Sequence, residues 1–331
     1  MVTMFVTDSE TQIHPSVRRL ALAVTVVSLL PITMGALVTT LKAGMAFADW
    51  PSSDGHSMLL YPWLKDFGRD PARFTEHGHR LAGVLIGVLS LALAGVTLRV
   101  ERTVWVRRYT IVIVLAVIGQ GLLGGARVLL DRATLAMLHS VSGAMFFCLC
   151  GMFLSLTGRR WRDPRPEEER RISQTAFGMI VFLPAVTAGQ YLLGTAVRHL
   201  HTMIDEHIAG AVVVTTLALC VIVWLCRADS LVLRRRGRLL LCCLAAQIGL
   251  GLAAWVARLG LPLRGIVAVE GSLAQAVFCT SHTVVGILLL NTTVVTSAVC
   301  IQMAATGRLR LNWPDPISAI PRNGQLREGA L

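Results

Sequence analysis

The chain has 331 residues, of which 54% are hydrophobic and only 15% charged, with a formal net charge of +12. A soluble globular domain carries about 25% charged residues, and a disordered chain is poorer in apolar residues and richer in charge, so both classes are excluded. The apolar residues form long runs, the pattern of a polytopic membrane protein. The basic residues cluster between those runs, where topology determinants belong, so the charge does not point to a nucleic-acid partner.

In chain order, eight runs are long enough to span a bilayer, over roughly 19–41, 79–98, 109–130, 134–157, 174–197, 207–226, 239–259 and 273–303. Each is expected to be helical, because a backbone in lipid must satisfy its own hydrogen bonds. The first run is long enough to span, so it does not read as a cleavable signal. A charged stretch containing Arg159, Arg160, Arg162 and Arg171 separates the fourth run from the fifth. The sequence thus divides into an N-terminal four-helix half over 1–158, a cytoplasmic linker over 159–171, a C-terminal half over 172–306 and a polar tail over 307–331. With a cytoplasmic N-terminus, the inner segments hold 21 of the 31 Lys and Arg and the outer ones 10, a bias that places both termini inside. All eight cysteines lie within apolar runs, so no disulfide framework is expected. Pro31 and Pro184 are the residues placed to break spans one and five.

The two halves repeat each other. Span one carries Leu30-Pro31-Ile32-Thr33-Met34-Gly35 and span five Leu183-Pro184-Ala185-Val186-Thr187-Ala188-Gly189, while Gln120–Gly124, Gln190–Gly194 and Gln247–Gly251 recur in spans three, five and seven. Small residues at such spacing let helices approach closely. The expected fold is an all-α membrane protein of eight transmembrane helices, arranged as two pseudo-symmetric four-helix bundles.

The histidines carry the chemistry. His79, His139, His207 and His282 fall one on each even-numbered span, near its outer end, whereas His14 and His56 lie in polar segments and His199 and His201 in a short outer loop. Ionisable side chains within spans are costly and mark function. A tetrahedral zinc would need all four ligands at one point. Two histidines per half fit two bis-histidine haem sites better, since cofactors in bundles are held by side chains on facing helices. Each of these histidines is followed within a turn by Gly83, Gly143, Gly210 or Gly286, which gives a flat macrocycle clearance. Glu76 lies three residues before His79, on the same helical face, and the second half lacks a carboxylate at that spacing. The halves are therefore alike in ligands and different in chemistry, so that one site reacts and the other transfers electrons.

With Glu76-His77-Gly78-His79-Arg80 and the three further histidines in register, the chain resembles the haem A synthase family. Ala46-Phe47-Ala48-Asp49-Trp50-Pro51 in the first outer loop adds to the likeness. The resemblance implies an oxidoreductase that converts the C8 methyl of haem O to the formyl group of haem A, the cofactor of haem–copper oxidases. It implies substrate-haem ligands His79 and His139, a haem B electron carrier held through its iron by His207 and His282, and Glu76 as the proton-accepting residue of the reacting site. The implied setting is the inner plasma membrane with the haem sites toward its outer side, in contact with lipid, haem O, the synthase that makes it and oxidase assembly factors.

Two departures place the chain in a divergent branch. Ile208 stands where many members have Arg after the sixth-span histidine, and outer-loop cysteine pairs are lacking. Arg80 reads equally as a partner for a haem propionate or as an interfacial cation. The residues alone leave two other classes open: a di-haem b-type electron-transfer cytochrome, for which Glu76 would have no use, and a parallel-repeat transporter.

Overall fold

A computed structural model describes residues 13–158 and 170–312, and eight of its helical segments are long and apolar enough to cross a membrane. The protein is thus a multi-pass membrane protein. Span one consists of α1 (Pro15–Val27) and α2 (Leu29–Thr40). It is followed by α3 (Pro71–Val100), α4 (Val104–Leu130) and α5 (Ala133–Leu156). The second half consists of α6 (Gln174–His199), α7 (Ile204–Arg227), α8 (Leu231–Leu259) and α9 (Leu273–Ala305).

Local chemistry sets several of the boundaries. Asp70 accepts a hydrogen bond from the Arg73 amide at 3.0 Å and Pro71 opens α3, the favoured arrangement at a helix start. Ser173 and Ser272 cap α6 and α9 in the same way, through the Ala176 and Gln275 amides. The expected spans are all present, but several run further than their apolar stretches. The α3 helix begins at Pro71, so that His79 lies two turns in rather than at its start, and α8 takes in Arg234-Arg235-Arg236. Helical hydrogen bonding continues past the lipid-compatible stretch wherever a cap permits it. Span one breaks at Ser28, one turn before Pro31, whose ring cannot pack against the carbonyl of residue i−4. Pro184 does not break span five, and α6 continues through it.

Each half closes into a ring of four spans. The α3 helix packs on α1, α2 and α4, and α5 returns to α1. In the second half α7 lies between α6 and α8, and α9 closes against both α8 and α6. The seam between the halves joins α9 to α2 and α5, and α5 to α6, which is the pairing a twofold axis along the membrane normal produces. Ala144, Phe147, Cys148, Ile287 and Leu290 are buried along that seam. Two further apolar clusters plug the halves at the end remote from the histidines. One is built on Val17, Leu93, Ile113 and Phe153, the other on Ile180, Leu225, Leu240 and Cys300. All eight cysteines are free.

A feature absent from the sequence reading closes the second half. β1 (Arg170–Ser173) pairs in parallel with β2 (Leu309–Asn312), with Ile172 opposite Leu311, so the last two residues of the expected linker and the first part of the expected tail form a ladder. Residues 159–169 and 313–331 lie outside the described residues. Ile172 and Leu309 are both buried in the C-terminal apolar cluster. Ile172→Ala is expected to cost about 2 kcal/mol or more, as for other buried large-to-small changes. A thermal unfolding midpoint in detergent that drops by several degrees would show it, and an unchanged midpoint would mean that the ladder is dispensable.

Candidate functional site

The four span histidines form two pairs. His79 of α3 faces His139 of α5 with ring centres 6.1 Å apart and ring planes at 83°, and His207 of α7 faces His282 of α9 at 6.4 Å and 90°. Among the described residues no three His, Cys, Asp or Glu side chains converge as a metal cluster would require.

Each imidazole lies against a glycine of the neighbouring odd-numbered span. A Cβ on Gly35 would stand 2.9 Å from Cε1 of His79, on Gly124 3.1 Å from His139, on Gly194 3.0 Å from His207, and on Gly251 2.9 Å from His282. Contacts that close leave no space for a methyl group, so glycine is what lets the ring approach the helix. The residue four positions earlier then orients the ring. Nδ1 of His79 lies 3.0 Å from the Pro31 carbonyl, and Nδ1 of His282 lies 3.2 Å from the Gln247 carbonyl. A carbonyl only accepts, so Nδ1 is the protonated nitrogen in both rings and Nε2 keeps its lone pair. His207 is held by Gln190, whose amide nitrogen donates to the His207 carbonyl at 2.8 Å and to Nδ1 at 3.0 Å. The Gln–Gly spacing noted in the sequence thus has a mechanical meaning. Its glycine admits a histidine, and Gln190, Gln247 or, in span one, Pro31 steers it, whereas His139 rests on Gly124 with its Nδ1 buried and without a hydrogen bond.

The halves differ in the space around the pair. A cavity of about 330 Å³ opens between His79 and His139, lined also by Glu76, Gln120, Arg127, Tyr191 and Arg198. Gly83 faces open space there and Gly143 leaves Gln120 at 3.6 Å, whereas Gly210 and Gly286 of the second half are filled closely by Gln190 and Gln247. The loop over 41–70 roofs the cavity. Trp50 lies flat against Gly125, and the loop passes over the start of α3.

Glu76 and Arg80 tie that roof down. Glu76 is 2% exposed. Its Oε2 accepts from the amides of Ala46 at 2.7 Å and Phe47 at 3.3 Å, and its Oε1 from Arg80 at 2.8 Å. Arg80 also donates to the carbonyls of Asp49 at 2.9 Å and Ser52 at 2.7 Å. Its guanidinium thus holds the loop and Glu76 together. His77, which the sequence left without a role, is fully buried beneath the loop, with Nδ1 3.1 Å from the Ser53 hydroxyl and its ring against Tyr61. His199 ends α6 and lies 2.9 Å from the Ser140 hydroxyl at the cavity wall. Sequence reasoning missed Arg127 and Arg198. Their signal was position, since both are basic residues within the last turns of spans that are otherwise apolar.

Asp49 locks the turn of the roof. It accepts from the amides of Asp54 and Gly55, both at 2.9 Å. Burial raises its carboxyl, but the Gly55 amide, the Ser52 hydroxyl and the Asp54 amide outweigh that and hold it down at about 2, below the ordinary 3.8. A carboxyl lowered on folding stabilises the folded loop above its unfolded value and loses that contribution as pH falls toward the folded one. The loop is therefore expected to stay protected above about pH 4 and to open between about pH 4 and 2, seen as pepsin cleavage within 41–70. Asp49→Asn should remove the dependence, and an identical cleavage profile in that variant would contradict the assignment.

The glycine contacts give a second test. Gly251→Ala should displace His282 and Gly35→Ala should displace His79, each changing the absorption spectrum of any chromophore held by that pair while Gly249→Ala, which meets nothing within 4 Å, leaves it unchanged. Spectra indifferent to all three would contradict the cradle.

The family comparison accords with the geometry. No curated protein matches the chain. The COX15-CtaA family, cytochrome oxidase assembly protein, matches residues 68–206, which covers Glu76, His79 and His139 and ends one residue before His207. Over that stretch the chain carries the signature of the COX15-CtaA family of cytochrome oxidase assembly proteins, the family that its histidines and Glu76 implied.

Proposed function

We propose that the protein is a haem A synthase, which binds haem O between His79 and His139 and oxidises its C8 methyl to a formyl group. On this reading His207 and His282 hold a haem B that carries the electrons away. The observation that carries the proposal is the contrast between the two histidine pairs. They have similar geometry, but the first opens onto a cavity of about 330 Å³ beside a buried carboxylate, whereas Gln190 and Gln247 take the space beside Gly210 and Gly286 at the second.

The residues present fit such groups. Metal–imidazole bonds are about 2.0–2.1 Å long, so two imidazoles with ring centres about 6 Å apart could hold one metal ion between them. The two pairs measure 6.1 and 6.4 Å. A protonated Nδ1 on His79 leaves its Nε2 lone pair to ligate, the usual outer-shell arrangement; on His282 that lone pair lies 3.4 Å from the Gln247 side-chain amide, which would have to swing aside. At His207 the Gln190 amide nitrogen donates to Nδ1 and to the carbonyl, which fixes the orientation of the ring. Haem iron between two histidines supplies one-electron chemistry, with a potential set by its ligands and their hydrogen bonds.

This chain's own residues then have distinct tasks. His79 and His139 fix the substrate's plane. The 41–70 loop excludes water from the cavity except through its own polar groups. Glu76 stands at the cavity wall and accepts the protons released as the methyl group is oxidised. It does so while Arg80 and two backbone amides hold its carboxylate in place. Oxidation by electron removal draws the formyl oxygen from water, for which a held carboxylate is a suitable base. The setting is the inner plasma membrane with both termini cytoplasmic, supported by the basic bias of the alternate loops. The di-haem electron carrier remains the second reading, and Glu76 in a cavity speaks against it.

Glu76→Gln keeps the size and most hydrogen bonds of the side chain and removes the base. It should abolish haem A while haem B stays bound, read by extracting and separating the pigments. Normal haem A in that variant would remove Glu76 from the mechanism. His282→Ala should lose haem B and leave the first cavity able to bind haem O, and unchanged haem B content would mean that the second pair is not its site.

A further inference from the structure

The cavity holds two cations without a counter-ion. Arg127 donates to the Gly44 carbonyl at 2.8 Å, and Arg198 donates to the carbonyls of Ala36 at 2.8 Å and Cys279 at 3.2 Å and to the hydroxyls of Thr40 and Thr283. All these partners are neutral, and neither guanidinium makes an ion pair among the described residues. The carboxylate of the same cavity, Glu76, is already matched by Arg80. Asp131 at the end of α4 is exposed and forms no ion pair with Arg127. Two half-buried guanidiniums therefore line the cavity with only neutral hydrogen-bond partners. Such charges are kept only where something pairs them, and a guanidinium matches a carboxylate in both shape and charge.

We infer that Arg127 and Arg198 form a two-point anion clamp that takes the two carboxylates of the cavity's ligand, an amphiphile with an apolar body and a dianionic edge. The inference rests on the reading that the cavity accepts haem O, whose two propionates lie on one edge of the macrocycle. Both arginines sit in the last turns of their helices, Arg127 three residues before the end of α4 and Arg198 one residue before the end of α6. The clamp therefore turns the anionic edge outward and the apolar body toward the membrane interior. It also fixes which edge of the macrocycle can reach Glu76. Arg198 belongs to the second half. It reaches Thr283, the residue after His282, and Ala36, the residue after the glycine that cradles His79. One clamp residue thus touches the immediate neighbours of both histidine pairs, so that substrate binding is sensed at the seam between the halves.

The test is a titration of the purified full chain with iron protoporphyrin IX and, separately, with its dimethyl ester, followed by the absorption change on histidine ligation. Wild-type protein should favour the diacid by about tenfold or more, the scale of one charge-assisted hydrogen bond. Arg127→Gln and Arg198→Gln should bring diacid binding down to that of the ester and leave the ester unchanged, and Arg127→Lys and Arg198→Lys should restore part of the preference. A wild-type chain that does not distinguish the two porphyrins, or Gln variants that keep the full preference, would overturn the clamp. If the Gln variants fail to fold, the wild-type comparison and the Lys variants still decide. A chain that prefers the diacid but never yields haem A keeps the clamp and loses the enzyme. A chain that makes haem A with no preference loses the clamp alone.

Discussion

An imidazole ring can lie flush against a neighbouring helix only where that helix has no Cβ, and the architecture of this protein follows from meeting that condition four times. Gly35, Gly124, Gly194 and Gly251 each receive the Cε1 edge of one histidine, where an added Cβ would stand only 2.9–3.1 Å away and push the ring aside. The contact draws the odd and even spans together and sets the height of each ring. With two such contacts in each four-span ring, the paired imidazoles face each other with ring centres 6.1 and 6.4 Å apart. Close approach at glycine is a common device of membrane helices. Here it positions a ligand as well as a backbone.

The functional asymmetry arises from small departures within that repeat. Spans three, five and seven place a glutamine four residues before the glycine, and span one places Pro31. In the second half Gln190 and Gln247 fill the space beside Gly210 and Gly286, while beside Gly83 nothing does. Pro31 also accompanies the break at Ser28, which turns α2 away from α1 and leaves room at the cavity wall. The 41–70 loop then converts that open space into an enclosed site. The buried Glu76–Arg80 pair holds the loop through backbone amides on one side and carbonyls on the other. A buried ion pair of this kind gains its strength from complete hydrogen bonding rather than from the charge contact alone.

Much of this was legible in the sequence. Eight apolar runs gave eight spans because a bilayer leaves the backbone no other economical structure. The fourfold placement of His79, His139, His207 and His282 survived into geometry because each rests on a glycine of the preceding odd-numbered span. The boundaries were less legible. Capping by Asp70 carried α3 across Glu76 and His77, beyond the apolar stretch that hydropathy detects. Arg80 read ambiguously because its partners are backbone carbonyls of a loop, which no side-chain pattern records. The β1–β2 ladder joins residues far apart in the chain through main-chain bonds, and Arg127 and Arg198 meet at the cavity only through tertiary packing. The cradle itself was half visible. The Gln–Gly repeat stood out, but nothing in it said that a histidine from another span would rest on the glycine.

The central claim is that the first histidine pair holds a haem that is changed and the second a haem that is not. The most direct measurement is to co-express the wild-type chain with a source of haem O, purify it, and identify the extracted pigments by mass. The account predicts haem B together with haem O, haem A or the alcohol stage between them. Haem B alone, with haem O abundant in the same membranes, would contradict it and leave a di-haem electron carrier.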